Sequence, residues 1–155
     1  MQIMHAESES AIEEVRDLFA EYVQTVNCGC CLVGFEREME GLPRGYEPPL
    51  GYLFLATAPD GSAVGCVGIR RFKPGIAVMK RLFVRPEWRR QGVGRHLVTR
   101  ANDWARQAGY QRMHLETADT MVEARALYRT MGFQDLPPPM GILPAAIRLM
   151  DMALV

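Results

Sequence analysis

Long apolar runs are missing from this chain. No stretch approaches the roughly 18 consecutive apolar residues that a membrane-crossing helix requires. The opening Met1-Gln2-Ile3-Met4-His5-Ala6-Glu7 lacks the basic head and apolar run of a secretory signal. An excess of one charge is missing too. Lysine plus arginine and aspartate plus glutamate number 18 each, so the formal net charge is zero at pH 7, which argues against a general nucleic-acid binder with a basic surface. Lysine is scarce: Lys73 and Lys80 are the only two, and the other basic residues are arginines, many of them between Arg70 and Arg112. An arginine cluster offers planar five-donor forks suited to phosphate. The four cysteines, Cys28, Cys30, Cys31 and Cys66, do not fall at a familiar metal-ligand spacing. Spacing signals no fourth ligand for the three near Gly29, so free thiols, no metal site and a reduced, cytoplasmic setting are expected. The three histidines form no visible Cys-His catalytic arrangement.

What is present is 155 residues, 48% of them hydrophobic, enough for a single domain spanning 1–155 around one core. Ile3–Ala6 reads as an edge strand. Ser10-Ala11-Ile12-Glu13 has capping-box spacing, and Ala11, Val15, Leu18, Phe19, Tyr22 and Val26 then follow at helical spacing. Gly34–Gly41 reads as a second short helix. Leu42 to Gly51, rich in proline and glycine, reads as an ordered loop with Leu42, Tyr46 and Leu50 to pack. Tyr52–Thr57 and Ala63–Ile69 form a hairpin across Ala58-Pro59-Asp60-Gly61. Gly65 and Gly68 in its second strand suggest close approach by another backbone or a ligand. Ile76–Val84 is a third strand.

Gly92–Ala108 is the clearest helix, with Val93, Leu97, Ala101, Trp104, Ala105 and Ala108 on one face, Asn102 among the polar residues of the other, and Gly109 to close it. Gln111–Glu116 alternates as a strand. Thr120-Met121-Val122-Glu123 offers another capping box, and Ala124, Leu127, Tyr128 and Met131 mark the next helix. Strands follow from Phe133 and over Ile147–Met152. This order implies a mixed, three-layer α/β/α domain.

The join between Val84 and Leu97 carries the strongest functional signal. A strand ends, a polar, glycine-bearing turn follows, and a long helix begins. Helix starts expose unpaired amides with partial positive charge and can hold phosphate. Gly92 and Gly94 permit close approach, and Arg89, Arg90 and Arg95 add attraction. A tight turn with solvated arginines is the plainer reading of the same residues. The sequence lacks a Walker Gly-Lys-Ser/Thr ending and the full dinucleotide Gly-x-Gly-x-x-Gly fingerprint.

Arg89-Arg90-Gln91-Gly92-Val93-Gly94 resembles the Gln/Arg-x-x-Gly-x-Gly/Ala loop of the GCN5-related N-acetyltransferase (GNAT) superfamily. Lys80–Arg89 resembles the strand and loop before that motif, and Ala126–Phe133 its second recognisable segment. The resemblance implies an acyl-CoA N-acyltransferase fold with a centrally splayed sheet, opened between Ile76–Val84 and Gln111–Glu116. It implies acetyl-CoA as acyl donor, with the pyrophosphate on the loop Arg89, Arg90, Gln91, Gly92, Val93, Gly94 and Arg95, and the pantetheine arm on the main chain of Leu82 and Val84. The acceptor it implies is an amine-bearing small molecule, peptide or protein. No nucleic acid or membrane partner is expected, and the final strand is available for a homodimer.

Acetyl transfer needs a neutral amine, donors for the oxyanion and a proton for the leaving thiolate. The resemblance makes Tyr128 the general acid; a core aromatic is the alternative. Glu116 is the candidate base, or a structural hydrogen-bonding group. Related small bacterial sequences carry an acidic residue just before the Lys80-Arg81 pair, where this chain has Ala77-Val78-Met79, so the base stays open. A non-catalytic acyl-CoA-binding or regulatory domain is the alternative function. Glu36, Glu38 and Glu40 read as decoration on an exposed helix, His96 as a solvent-facing helix position near the phosphate loop, and His114 as a structural histidine. Lys80 and Arg81 would face opposite sides of a regular strand.

Overall fold

A computed structural model of the chain describes residues 1–25, 34–137 and 147–155. The elements are β1 (Gln2–His5), α1 (Glu9–Thr25), α2 (Phe35–Gly41), β2 (Tyr52–Thr57), β3 (Ala63–Lys73), β4 (Ile76–Val84), a 3-10 turn over Pro86–Trp88, α3 (Val93–Gln107), β5 (Arg112–Ala118), α4 (Val122–Thr130), β6 (Gln134–Leu136) and β7 (Ile147–Ala153). Seven strands form one sheet in the order β1-β2-β3-β4-β5-β7-β6. Only β4 and β5 pair in parallel; every other neighbouring pair is antiparallel. The final strand therefore lies inside the sheet, between β5 and β6, and the free edges belong to β1 and β6.

Two cores make this a three-layer α/β/α molecule. On one face, Leu97, Val98, Ala101 and Ala105 of α3 and Tyr128 of α4 pack with Val67, Ile69, Ala77, Met79, Met113 and Leu115. On the other, Val15, Leu18, Phe19 and Tyr22 of α1 pack with Leu53, Leu55, Cys66 and Phe83. Asn102, expected on the polar side of α3, is buried, with its side-chain nitrogen 3.4 Å from the Met152 sulfur. Ala108, expected on the apolar face, is exposed because the helix has ended.

Both expected capping boxes are displaced. Helix α1 begins earlier, and Ser8 rather than Ser10 accepts the Ala11 amide, at 3.2 Å. Helix α4 begins after Met121, with no side-chain cap. That shift removes Glu123 from box position, and its carboxylate pairs with Arg90 at 3.2 Å instead.

The loop from Leu42 to Gly51 lies directly on β3. Tyr46 is fully buried and Leu42 is buried, whereas Leu50 is exposed. A Cβ at Gly68 would overlap the Tyr46 ring, and one at Gly51 would lie 2.7 Å from the Ile69 carbonyl oxygen. The close approach suggested by glycine in β3 is thus made by Tyr46 at Gly68. At Gly65 it is made by the Phe83 carbonyl, 2.8 Å from where a Cβ would sit.

Strand β4 is not regular. Gly68 pairs with Lys80 and Cys66 with Phe83, so one β3 residue faces Arg81 and Leu82 together. This is a β-bulge, and Arg81 takes a left-handed conformation with φ 61°. The bulge shifts the phase of the strand. Ala77 and Met79 belong to the α3-side core, yet Phe83 belongs to the α1-side core, and Leu82 and Val84 turn toward α3. Parallel pairing of β4 with β5 runs from Ile76↔Arg112 to Met79↔Leu115 and stops there, although both strands continue.

Candidate active site

Where the two strands part, a cleft of about 860 Å³ opens between the end of β4 and the start of α4. Leu82, Phe83 and Val84 line one wall, and Thr120, Met121, Ala124 and Leu127 the other. Arg89, Arg90, Gly92, Gly94 and Arg95 close one end, and Tyr22 and Thr25 of α1 reach in from the opposite face of the sheet.

The loop end is built for an anion. Gly92 caps α3 in a left-handed conformation, φ 85°, with no side-chain cap, and Arg90 is left-handed too, φ 63°. The first hydrogen bond into the helix runs from the His96 amide to the Gly92 carbonyl, at 3.0 Å. The amides of Val93, Gly94 and Arg95 donate to no acceptor among the described residues. These are the orphan donors of a helix start, reinforced by its dipole. A Cβ on Gly94 would come 3.3 Å from Leu127 Cδ2 and 3.8 Å from Val84 Cγ2, so glycine keeps the passage beside these amides open. A diphosphate fits this donor set.

The residues singled out from the sequence contribute unequally. Leu82, Val84, Arg89, Arg90, Gly92, Gly94 and Arg95 line the cleft. The Val93 side chain is buried in the core, which leaves only its amide for a ligand. Gln91 donates its side-chain amide to the Glu87 carbonyl at 3.1 Å. Arg89 Nε donates to the Val84 carbonyl at 2.8 Å, and its guanidinium lies over the Phe83 ring. Arg95 reaches Thr130 at 3.1 Å.

Tyr128 is not among the residues that line the cleft, although Leu127 beside it in sequence is. It is buried and edge-on to Phe133. Burial, followed by the neighbouring Tyr22, pushes its phenol above the ordinary range, so it stays protonated. Glu116 is exposed and shares the α1 face of the sheet with His114; its strand neighbour Leu115 points into the other core. Burial is the largest influence lowering the proton affinity of His114, against Asp151, which raises it.

A second group gathers on the α1 face. Glu38, expected on an exposed helix surface, has a side chain only 8% exposed and pairs with Arg81 at 2.9 Å and Arg70 at 3.6 Å. Arg81 lies over the rings of Phe35 and Tyr22. The Tyr46 phenol beside Glu38 is raised, first by burial and then by that carboxylate. Lys80 faces the same way. It pairs with Gly68, whose missing Cβ points at Tyr46. Alternation would have sent Lys80 and Arg81 to opposite faces, and the bulge brings them to one. Sequence reasoning missed Tyr22, read only as core, and Glu38, because a Glu-x-Glu-x-Glu spacing looks solvated. Cys28, Cys30 and Cys31 lie outside the described residues. Cys66 is buried, with Sγ 3.5 Å from the Arg81 carbonyl oxygen. No cluster of three or more candidate metal ligands occurs among the described residues, and none of their helices is long and apolar enough to cross a membrane.

The acetyltransferase (GNAT) family model matches residues 12–133. An uncharacterised N-acetyltransferase of Schizosaccharomyces pombe is 34% identical over 128 residues, covering 82% of this chain and 78% of that protein. A GNAT-family acetyltransferase structure from Staphylococcus aureus superposes with a TM-score of 0.80 at 18% identity, over 99% of both chains. The PaiA N-acetyltransferase of Thermoplasma acidophilum, solved in complex with coenzyme A, gives 0.77 at 16% identity, again over 99% of both. These likenesses show the fold, and the unpaired helix-start amides are a donor set that a diphosphate fits. The chain belongs to the acetyltransferase (GNAT) family, as an enzyme that takes an acetyl group from acetyl-CoA.

Proposed function

We propose that the chain acetylates a primary amine of a small molecule or peptide by direct transfer, as a single domain acting in the cytoplasm. The observation that carries this reading is the cleft itself. It opens where β4 and β5 stop pairing, and it ends on the unpaired amides of Val93, Gly94 and Arg95.

Acetyl-CoA supplies the activated acetyl group. The loop Arg89–Arg95 holds the pyrophosphate, through amides first and arginine charge second. The main chain of Leu82 and Val84 runs along the pantetheine arm. At Val84 the carbonyl is already engaged by Arg89, so its amide is the group left for the ligand unless Arg89 swings away. Attack by the neutral amine forms the C–N bond and breaks the C–S bond. Tyr128, kept protonated by burial, donates toward the departing sulfur, and Glu116, exposed beside the opening, takes the amine proton through water. With β7 internal to the sheet, any homodimer built by strand pairing uses β1 or β6.

The test is a mass-resolved screen of purified protein with acetyl-CoA and longer acyl-CoAs against a mixed amine and peptide panel. A time-dependent acetyl adduct is expected. Binding of acetyl-CoA with no adduct on any acceptor would favour a non-catalytic acyl-CoA-binding domain. Tyr128→Phe should lower kcat by roughly 100-fold or more, the lower end of the range for a lost proton donor, with acetyl-CoA affinity kept. Unchanged turnover would remove Tyr128 from the chemistry.

A further inference from the structure

We propose that the acceptor is a small amino acid or a close derivative, its free carboxylate held by the Lys80 ammonium on the α1 face of β4. The inference rests on the acetyl-transfer reading and names its substrate class.

Charge at this face does not balance. Arg70, Lys80 and Arg81 converge there, and the buried carboxylate among them, Glu38, is engaged by Arg81 and Arg70. Lys80 is half-buried and makes no ion pair or hydrogen bond among the described residues. Glu38 and Glu116 act on it without a direct ion pair; a partly desolvated cation so placed is costly, and an incoming anion in direct contact offsets that cost. Burial and then Arg81 lower its proton affinity, which a bound carboxylate would reverse.

Position makes the cation relevant to the reaction. Lys80 is the first β4 residue beyond the last β4–β5 pair and stands two positions before Leu82, which lines the cleft. Glu116 acts on Lys80 from across the parted strands. A cation on one side of the opening and a carboxylate on the other match the two ends of a zwitterion. They also disfavour a polycation, which would meet three basic groups.

The experiment compares each amino acid with its own carboxamide as acceptor, for wild type, Lys80→Met and Lys80→Arg. Wild type should favour the acids about tenfold or more in kcat/KM, the size of one charge-assisted contact, mainly through acceptor KM. Lys80→Met should bring acid and amide within about twofold and leave the KM for acetyl-CoA unchanged. Lys80→Arg should keep most of the preference. Lys80→Met should unfold at an equal or higher urea midpoint, because it removes an unpaired charge; a lower midpoint with acid and amide impaired alike would mark a structural role and overturn the proposal. Equal use of acids and amides by wild type would also overturn it. Should no acceptor react, calorimetry of N-acetyl amino acids and their amides on the CoA-saturated protein decides. A Lys80-dependent preference for the acids would support the carboxylate site while the acetyl-transfer reading falls. No preference would overturn the site.

Discussion

A methyl group added at Gly94 would sit between Leu127 Cδ2 and Val84 Cγ2, at 3.3 and 3.8 Å. Leu127 is a flexible side chain at the cleft surface and can yield by a few tenths of an ångström, so Gly94→Ala should change stability by less than about 1 kcal/mol. The same carbon intrudes beside the unpaired amides, so the KM for acetyl-CoA should rise several-fold in steady-state kinetics; an unchanged KM would mean the ligand passes elsewhere. Gly68 behaves differently. A Cβ there overlaps the fully buried Tyr46 ring, and Gly68→Ala should cost roughly 1–3 kcal/mol, read as a lower urea midpoint. The two glycines look alike in sequence. Gly94 was legible because it falls in a motif at a helix start. Gly68 was legible only as a crowded position, since its partner comes from a loop 22 residues earlier.

At the scale of elements, α2 is held by charge as well as by packing. Phe35 and Met39 reach the α1-side core, and Glu38 anchors Arg81, whose side chain is 7% exposed. Removing one partner of a buried pair leaves the other's charge without compensation. Glu38→Ala should therefore destabilise the protein by about 3 kcal/mol or more, measured by urea unfolding; a loss below about 1 kcal/mol would show the pair to be solvated. Periodicity exposed the faces of α1 and α3 well, because a 3.6-residue repeat is a local property. Cap positions were less legible: Ser8 and Ser10 differ only in where the chain turns. The role of Glu38 was hidden because its partners lie on β3 and β4.

For the molecule as a whole, buried acids held in their protonated form set the alkaline limit. Burial raises Tyr46, Cys66 and Tyr128. In the unfolded chain the thiol releases its proton near pH 8.5 and the phenols near pH 10, while the folded chain keeps all three. The unfolded state then binds fewer protons, so stability falls as pH rises through that range. Urea midpoints between pH 7 and 11 should be flat at first and then decline, and Tyr128→Phe should soften the decline above pH 10. A flat profile to pH 11 would contradict the burial of these groups. Sequence pattern could identify the strands, but not that β7 inserts between β5 and β6, nor that β4 changes phase. Insertion is a matter of long-range pairing. The phase change depends on a left-handed arginine, which no propensity favours.

That phase change resembles a dislocation in a crystal. A bulge is a mismatch of one residue in the count along two neighbouring strands. Exchanging side chains alters what surrounds the mismatch but cannot cancel it; only an insertion or deletion restores the count. The opening between β4 and β5 is in this sense protected. The surface around Lys80 and Glu116 can drift through many substitutions, and with it, on the proposed assignment, the choice of acceptor, while the cleft between the parted strands stays where the register left it.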